Sequence, residues 1–191
     1  MKARTRNQLL IIVGVVAMLV AGNWAYAVLN DTSDDTVVID TRVTFEQPSI
    51  ETNADVEGDP LPDATVQNLQ GDDVDIASLI GRPMVINVWG STCGPCKKEL
   101  PDFAAVHLQY QDSVRFVGIS YLPASDREER FARDKGVQYE LFYDGNLEFV
   151  NNAGIAAFPV TLFIDSSGKI VRQTGQLDQA ELIDIIESDL L

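Results

Sequence analysis

Apolar residues along this chain fall into runs of different lengths, and each length predicts a different element. Leu9–Leu29 is apolar almost throughout, broken mainly by Asn23. It is long enough to cross a bilayer as a helix. Met84–Trp89 is short and nearly continuous, as expected for a central strand covered on both faces. Val114–Ser120, Tyr139–Tyr143, Val160–Asp165 and Lys169–Thr174 are further strand-like runs. Val66–Leu69 and Val74–Ile76 bracket a Gly71-Asp72-Asp73 turn and predict a hairpin, followed by a short turn or helix at Ala77–Ile80. Between the strands the period lengthens to that of a helix. Helices are predicted from Gly94 to Tyr110, from a Ser125-Asp126 cap to Lys135, over Asn146–Asn152, and from an Asp178 cap through Gln179–Leu190.

Strands alternating with helices indicate an α/β layer fold. The globular domain is expected at residues 60–191, long enough for one substantial core. Residues 30–59 are polar and acidic, contain Pro48 and Gly58, and are expected to form a linker. There are no internal repeats.

The net charge is −15, and its distribution orients the chain. Residues 1–8 carry Lys2, Arg4 and Arg6 and no acid, whereas residues 30–59 carry nine acids against Arg42. Positive charge before residues 9–29 and acids after it place the basic N-terminus in the cytoplasm and the domain outside the cell membrane. Two readings of 9–29 remain open. One is a retained single-pass transmembrane anchor, favoured because the apolar run continues past Ala27. The other is a signal peptide cleaved after Ala25-Tyr26-Ala27, releasing a secreted domain. So acidic a chain is not expected to bind nucleic acid.

The candidate chemistry lies in Cys93-Gly94-Pro95-Cys96, which holds both cysteines of the chain. The pair follows a predicted strand and opens a predicted helix. That is the layout for reversible thiol–disulfide exchange, because a helix N-terminus stabilises a thiolate. Cys93 is the expected nucleophile and Cys96 the resolving thiol. Gly94 leaves room beside the attacking sulfur, and Pro95 suits a first helical turn. A structural zinc site would need four Cys/His ligands, and only His107, far along the helix and read as a surface residue, remains. Neither a metal nor another cofactor is expected.

Val88-Trp89-Gly90-Ser91-Thr92-Cys93-Gly94-Pro95-Cys96-Lys97-Lys98-Glu99-Leu100-Pro101, the Pro60-x-Pro62-Asp63 entry and Phe158-Pro159-Val160-Thr161-Leu162-Phe163-Ile164-Asp165 together resemble the membrane-anchored TlpA/ResA-type thiol–disulfide oxidoreductases. The resemblance implies a thioredoxin fold, with a central mixed sheet flanked by helices and an N-terminal hairpin extension. It implies a redox-active Cys93–Cys96 disulfide and a cis-proline at Pro159 that docks substrate, with Phe158 before it. It assigns Glu99 a role as acid or base, and it puts Trp89 beneath the site in a supporting role. Asn87 stands where cytoplasmic thioredoxins carry a buried aspartate, and Thr92 replaces the family's usual tryptophan.

The resemblance further implies a reductase of protein disulfides, such as those of apocytochrome c during cytochrome c-type biogenesis or of copper-assembly proteins. A membrane thiol transporter of CcdA/DsbD type would supply its electrons. A disulfide-forming oxidase is the alternative, since sequence does not fix a reduction potential. A peroxiredoxin-like peroxidase would place a threonine three residues before its cysteine, where this chain has Gly90. A copper-binding module would need a His or Met ligand near the pair.

Overall fold

A computed structural model of the protein describes residues 52–191 and Met18. The expected basic N-terminus, the apolar span 9–29 apart from Met18, and most of the acidic linker lie outside the described residues. Among the described residues, no helix is long and apolar enough to cross a membrane. The chain divides into two units, Met1–Phe45 and Glu46–Leu191, and the fold described here belongs to the second.

The strands are β1 (Thr65–Gln67), β2 (Asp73–Asp75), β3 (Met84–Trp89), β4 (Arg115–Ser120), β5 (Glu140–Tyr143), β6 (Val160–Ile164) and β7 (Ile170–Thr174). The helices are α1 (Cys96–Tyr110), α2 (Asp126–Asp134), α3 (Glu148–Asn152) and α4 (Gln179–Ile185). A 3-10 turn spans Ile76–Leu79, and α4 runs into a wider π turn over Ile186–Leu190. The last helix predicted from the sequence is therefore α-helical only in its first part. The caps read from the sequence are present. Ser125 accepts the Glu128 N–H at the head of α2, and Asp178 forms a reciprocal capping box with Glu181 at the head of α4.

The strands form one seven-stranded sheet in the order β2-β1-β5-β4-β3-β6-β7. β3, β4 and β5 run parallel. β6 is antiparallel to β3, β7 to β6, and β1 to both β2 and β5. The parallel connections pass through α1 and α2, as a crossover requires.

β3 is buried at every position, and its alternation divides the core. Met84, Ile86 and Val88 pack with Val160, Leu162, Ile164, Phe149 and Ile76 on the face covered by α3 and the 3-10 turn. Val85 and Trp89 pack with Phe163, Leu100, Phe103, Ala132 and Leu182 on the face covered by α1, α2 and α4. Each large side chain so buried contributes about 1.5–3 kcal/mol.

The hydrogen-bonded domain reaches upstream of the Pro60 boundary expected from the sequence. Ala54 donates to the Gly154 carbonyl at 2.9 Å and Gly58 to the Ile170 carbonyl at 2.8 Å. His107 also departs from expectation. It is half-buried and sits edge-on to Phe116 and Tyr139, with ring centroids 5.5 and 5.4 Å away. Burial, with a smaller contribution from the charge of Arg82, lowers its pKa. It belongs to the inner side of α1 because it lies four residues beyond buried Phe103.

Candidate active site

β3 delivers the chain to the upper edge of the sheet at Trp89, and the next residues turn before a helix can form. The Cys93 N–H closes that turn on the Gly90 carbonyl at 3.0 Å. α1 then begins at Cys96, with Pro95 as its N-cap, so Cys93 and Gly94 lie outside the helix. Gly94 and Pro95 are exposed. Cys93 and Cys96 are joined by a disulfide, with Cα atoms 5.3 Å apart. The two sulfurs are not equivalent: Cys93 keeps 9% of its surface and Cys96 none. Only Cys93 can be approached from outside. Its Sγ accepts the Cys96 N–H at 3.2 Å, a donor of the first helical turn that has no intrahelical partner. That donor and the helix dipole favour negative charge on Cys93 in the dithiol form.

The Phe158–Pro159 bond is cis, and Pro159 is buried at the start of β6. The register pairs Val88 with Val160. Pro159 therefore reaches the sheet edge at the level of Trp89, where the cysteine loop leaves β3. A further link joins the two loops. Tyr121 stacks on Phe158 with centroids 4.2 Å apart, and its hydroxyl lies 2.9 Å from Thr92 Oγ1. Gly90 makes this possible, since a Cβ there would lie 2.5 Å from the Tyr121 ring. A Thr92–Tyr121–Phe158 bridge thus stands beside the first cysteine.

Trp89 lies wholly buried under the pair and stacks on Phe131 at 5.8 Å. Gly118 gives it room, because a Cβ at that position would sit 3.0 Å from Trp89 Nε1.

Asn87 shares the inner face of β3 with Trp89. Its Nδ2 donates to Glu99 Oε1 at 2.8 Å, and the Leu177 N–H donates to Glu99 Oε2 at 3.4 Å. Glu99 is 1% exposed. It stands three residues beyond Cys96, so both side chains emerge on one side of α1. Burial pushes its pKa from 4.5 up to about 7, against the two hydrogen bonds, which pull it down, with a small further push from Asp102. A carboxyl group poised near neutrality can take a proton from a thiol and return it.

Two participants escape a reading of the sequence. Glu128 on α2 is buried and accepts the Ser91 N–H at 3.0 Å, the Ser91 hydroxyl, and the Ser120 hydroxyl at 3.2 Å. Tyr121 is the other residue missed. The signal for Glu128 was faint: within Asp126–Asp134 only Glu128 and Ala132 are buried, four residues apart.

Comparison with known proteins agrees with this geometry. The model of the AhpC/TSA family matches residues 57–173. The chain is similar to the thiol–disulfide oxidoreductase ResA of Halalkalibacterium halodurans, with 24% identity over 132 residues, covering 68% of this chain and 75% of that one. It is similar to ResA of Bacillus subtilis at 25% over 130 residues, covering 67% and 73%. Among solved structures, it resembles a DsbF homologue from Corynebacterium diphtheriae with a TM-score of 0.61 and 25% identity, covering 75% of this chain and 97% of that one.

Proposed function

The chain belongs to the AhpC/TSA family and is a thiol–disulfide oxidoreductase of the ResA/TlpA type, and from that premise we propose that it is an extracytoplasmic, membrane-anchored reductant of protein disulfides. One observation carries the reading: an accessible Cys93 and a closed-off Cys96 share the sheet edge with the cis Phe158–Pro159 loop. A peptide lying along that loop brings its disulfide to Cys93.

In the reduced form, the Cys93 thiolate attacks one sulfur of the substrate disulfide. A mixed disulfide forms, and the other substrate sulfur leaves and takes up a proton. Glu99 accepts the Cys96 proton. The Cys96 thiolate then attacks Cys93 Sγ, closing the Cys93–Cys96 disulfide and releasing the second substrate thiol. Two electrons pass from the dithiol to the substrate, and a thiol donor must restore them.

The Gly94-Pro95 dipeptide, shared with reducing thioredoxins, supports this direction. The acidic linker, the apolar 9–29 run and the preceding basic residues support the location. Apocytochrome c or copper-assembly proteins as substrates, and a CcdA/DsbD-type donor, follow from the ResA/TlpA resemblance. The peroxidase alternative would need a threonine at position 90, where the Tyr121 ring occupies the space a side chain would take.

Reduction of a model protein disulfide should vanish in Cys93→Ser, while Cys96→Ser should accumulate a mixed disulfide whose partner can be identified. A reduction potential above that of the local thiol pool, read by titration of Trp89 fluorescence, would overturn the reductase direction. Peroxide consumption without a disulfide substrate would favour a peroxidase.

A further inference from the structure

Burying a carboxylate is costly unless donors surround it, and Glu128 is buried beside the redox loop rather than on a binding surface. Its two oxygens take three donors from two segments: Ser91 N–H and Oγ in the cysteine loop, and Ser120 Oγ at the end of β4. Ser120 Oγ in turn accepts the Leu122 N–H at 3.2 Å. Glu128 thus ties the loop bearing Cys93 to β4 and to the start of the segment carrying Tyr121.

We infer that Glu128 is a positioning residue that, through Ser91, fixes the Cys93 loop and biases the pair toward the disulfide, making the dithiol a stronger reductant. Ser91 is two residues before Cys93, and two residues of chain span at most about 7 Å. A carboxylate hydrogen-bonded to that loop, and shielded from solvent, opposes the thiolate that appears on reduction and leaves the neutral disulfide untouched. The other charges around the pair act differently. Lys97 and Lys98 are exposed at the head of α1 and screened by water, the helix dipole favours the thiolate, and Glu99 lies under Cys96. Ser91 also explains why Thr92 can hold its hydroxyl toward Tyr121: the residue before it is pinned by two hydrogen bonds to Glu128. The inference rests only on Cys93–Cys96 being the working redox pair, not on the physiological direction.

Glutathione redox equilibration of the full chain, read by thiol trapping, tests it, together with the pH profile of Cys93 alkylation. Glu128→Gln keeps the shape and removes the charge. It should move the equilibrium constant about tenfold toward the dithiol, equivalent to about 30 mV for a two-electron couple, and lower the alkylation midpoint. Glu128→Asp keeps the charge and should stay nearer the parent than Glu128→Gln. If Glu128→Gln does not fold, the combination Ser91→Ala, Ser120→Ala and Glu128→Met, which replaces the side-chain cluster with apolar groups of similar volume, should show the same direction of shift. A parental constant and midpoint in the neutral variant that folds, or equal shifts in Glu128→Gln and Glu128→Asp, would overturn the inference. A wild-type potential too high for a reductase would overturn the proposed direction and leave the difference between variants intact.

Discussion

The two faces of β3 differ in what they bury. Toward α3, Met84, Ile86 and Val88 pack with apolar partners from the sheet and its covering turn and helix. Toward α1, the same strand presents Val85, Asn87 and Trp89. There the buried polar residues gather: Asn87, Glu99, Thr161, Ser91, Ser120 and Glu128. Asp144 is the buried acid on the other side, where it caps α3 by accepting the Phe149 and Val150 N–H groups. One face holds the fold together at low cost. The other carries the expense of buried polar groups, and it is the face on which both cysteines lie.

Three substitutions sharpen this division, taken from the largest effect to the smallest. Phe149→Ala empties part of the apolar face and should cost about 3–5 kcal/mol in denaturant unfolding. Disulfide-reduction rates per folded molecule should stay as they were. A changed rate at full folding would break the division.

Glu99→Gln acts on the other face, and its effect depends on pH. Because Glu99 is raised from 4.5 to about 7, the folded state keeps a proton that the unfolded chain releases between those values. Its contribution is fully present below the unfolded pKa and is lost as pH rises through about 7. Relative to the parent, Glu99→Gln should therefore gain up to about 3 kcal/mol between acid and mildly alkaline pH. Parallel stability–pH curves for the two proteins would remove Glu99 as a shifted group.

Tyr121→Phe keeps the stack on Phe158 and loses the Thr92 bond, which lies at an exposed residue. It should cost about 1 kcal/mol or less in stability and raise KM for a peptide disulfide while kcat is held. A stability loss as large as that of Phe149→Ala would make Tyr121 part of the core rather than of the docking edge.

What the sequence discloses follows the same division. The apolar run of β3 and the Cys93–Cys96 spacing are strong local signals, and Glu99 and Pro159 followed from the motifs around them. Residues that act across the sheet edge were hidden. Glu128 sits in Asp-Arg-Glu-Glu-Arg-Phe-Ala-Arg-Asp, a helix so charged that it reads as solvated, and only its tertiary partners make it a buried acid. Tyr121 follows a strand and carries no motif, and its role needs Phe158, a residue 37 positions away that only the fold brings near. His107 was legible in principle, since its spacing from Phe103 follows the inward face of α1, but the lack of a second metal ligand drew it to the surface. Helix ends shifted by a few residues because Cys93 and Gly94 serve a turn closed on Gly90 rather than the helix that follows.

Asn53 reaches from the upstream chain to the docking loop. Its Oδ1 accepts the Ala156 and Ala157 N–H groups, each at 2.7 Å, and its Nδ2 donates to the Ala157 carbonyl at 3.2 Å. Those residues immediately precede Phe158 and Pro159. Any tension transmitted along the chain from its N-terminal side meets these bonds before it reaches the sheet. The segment that enters the domain and the segment that carries the cis Phe158–Pro159 bond are therefore held together by the same side chain, so a change at Asn53 reaches both.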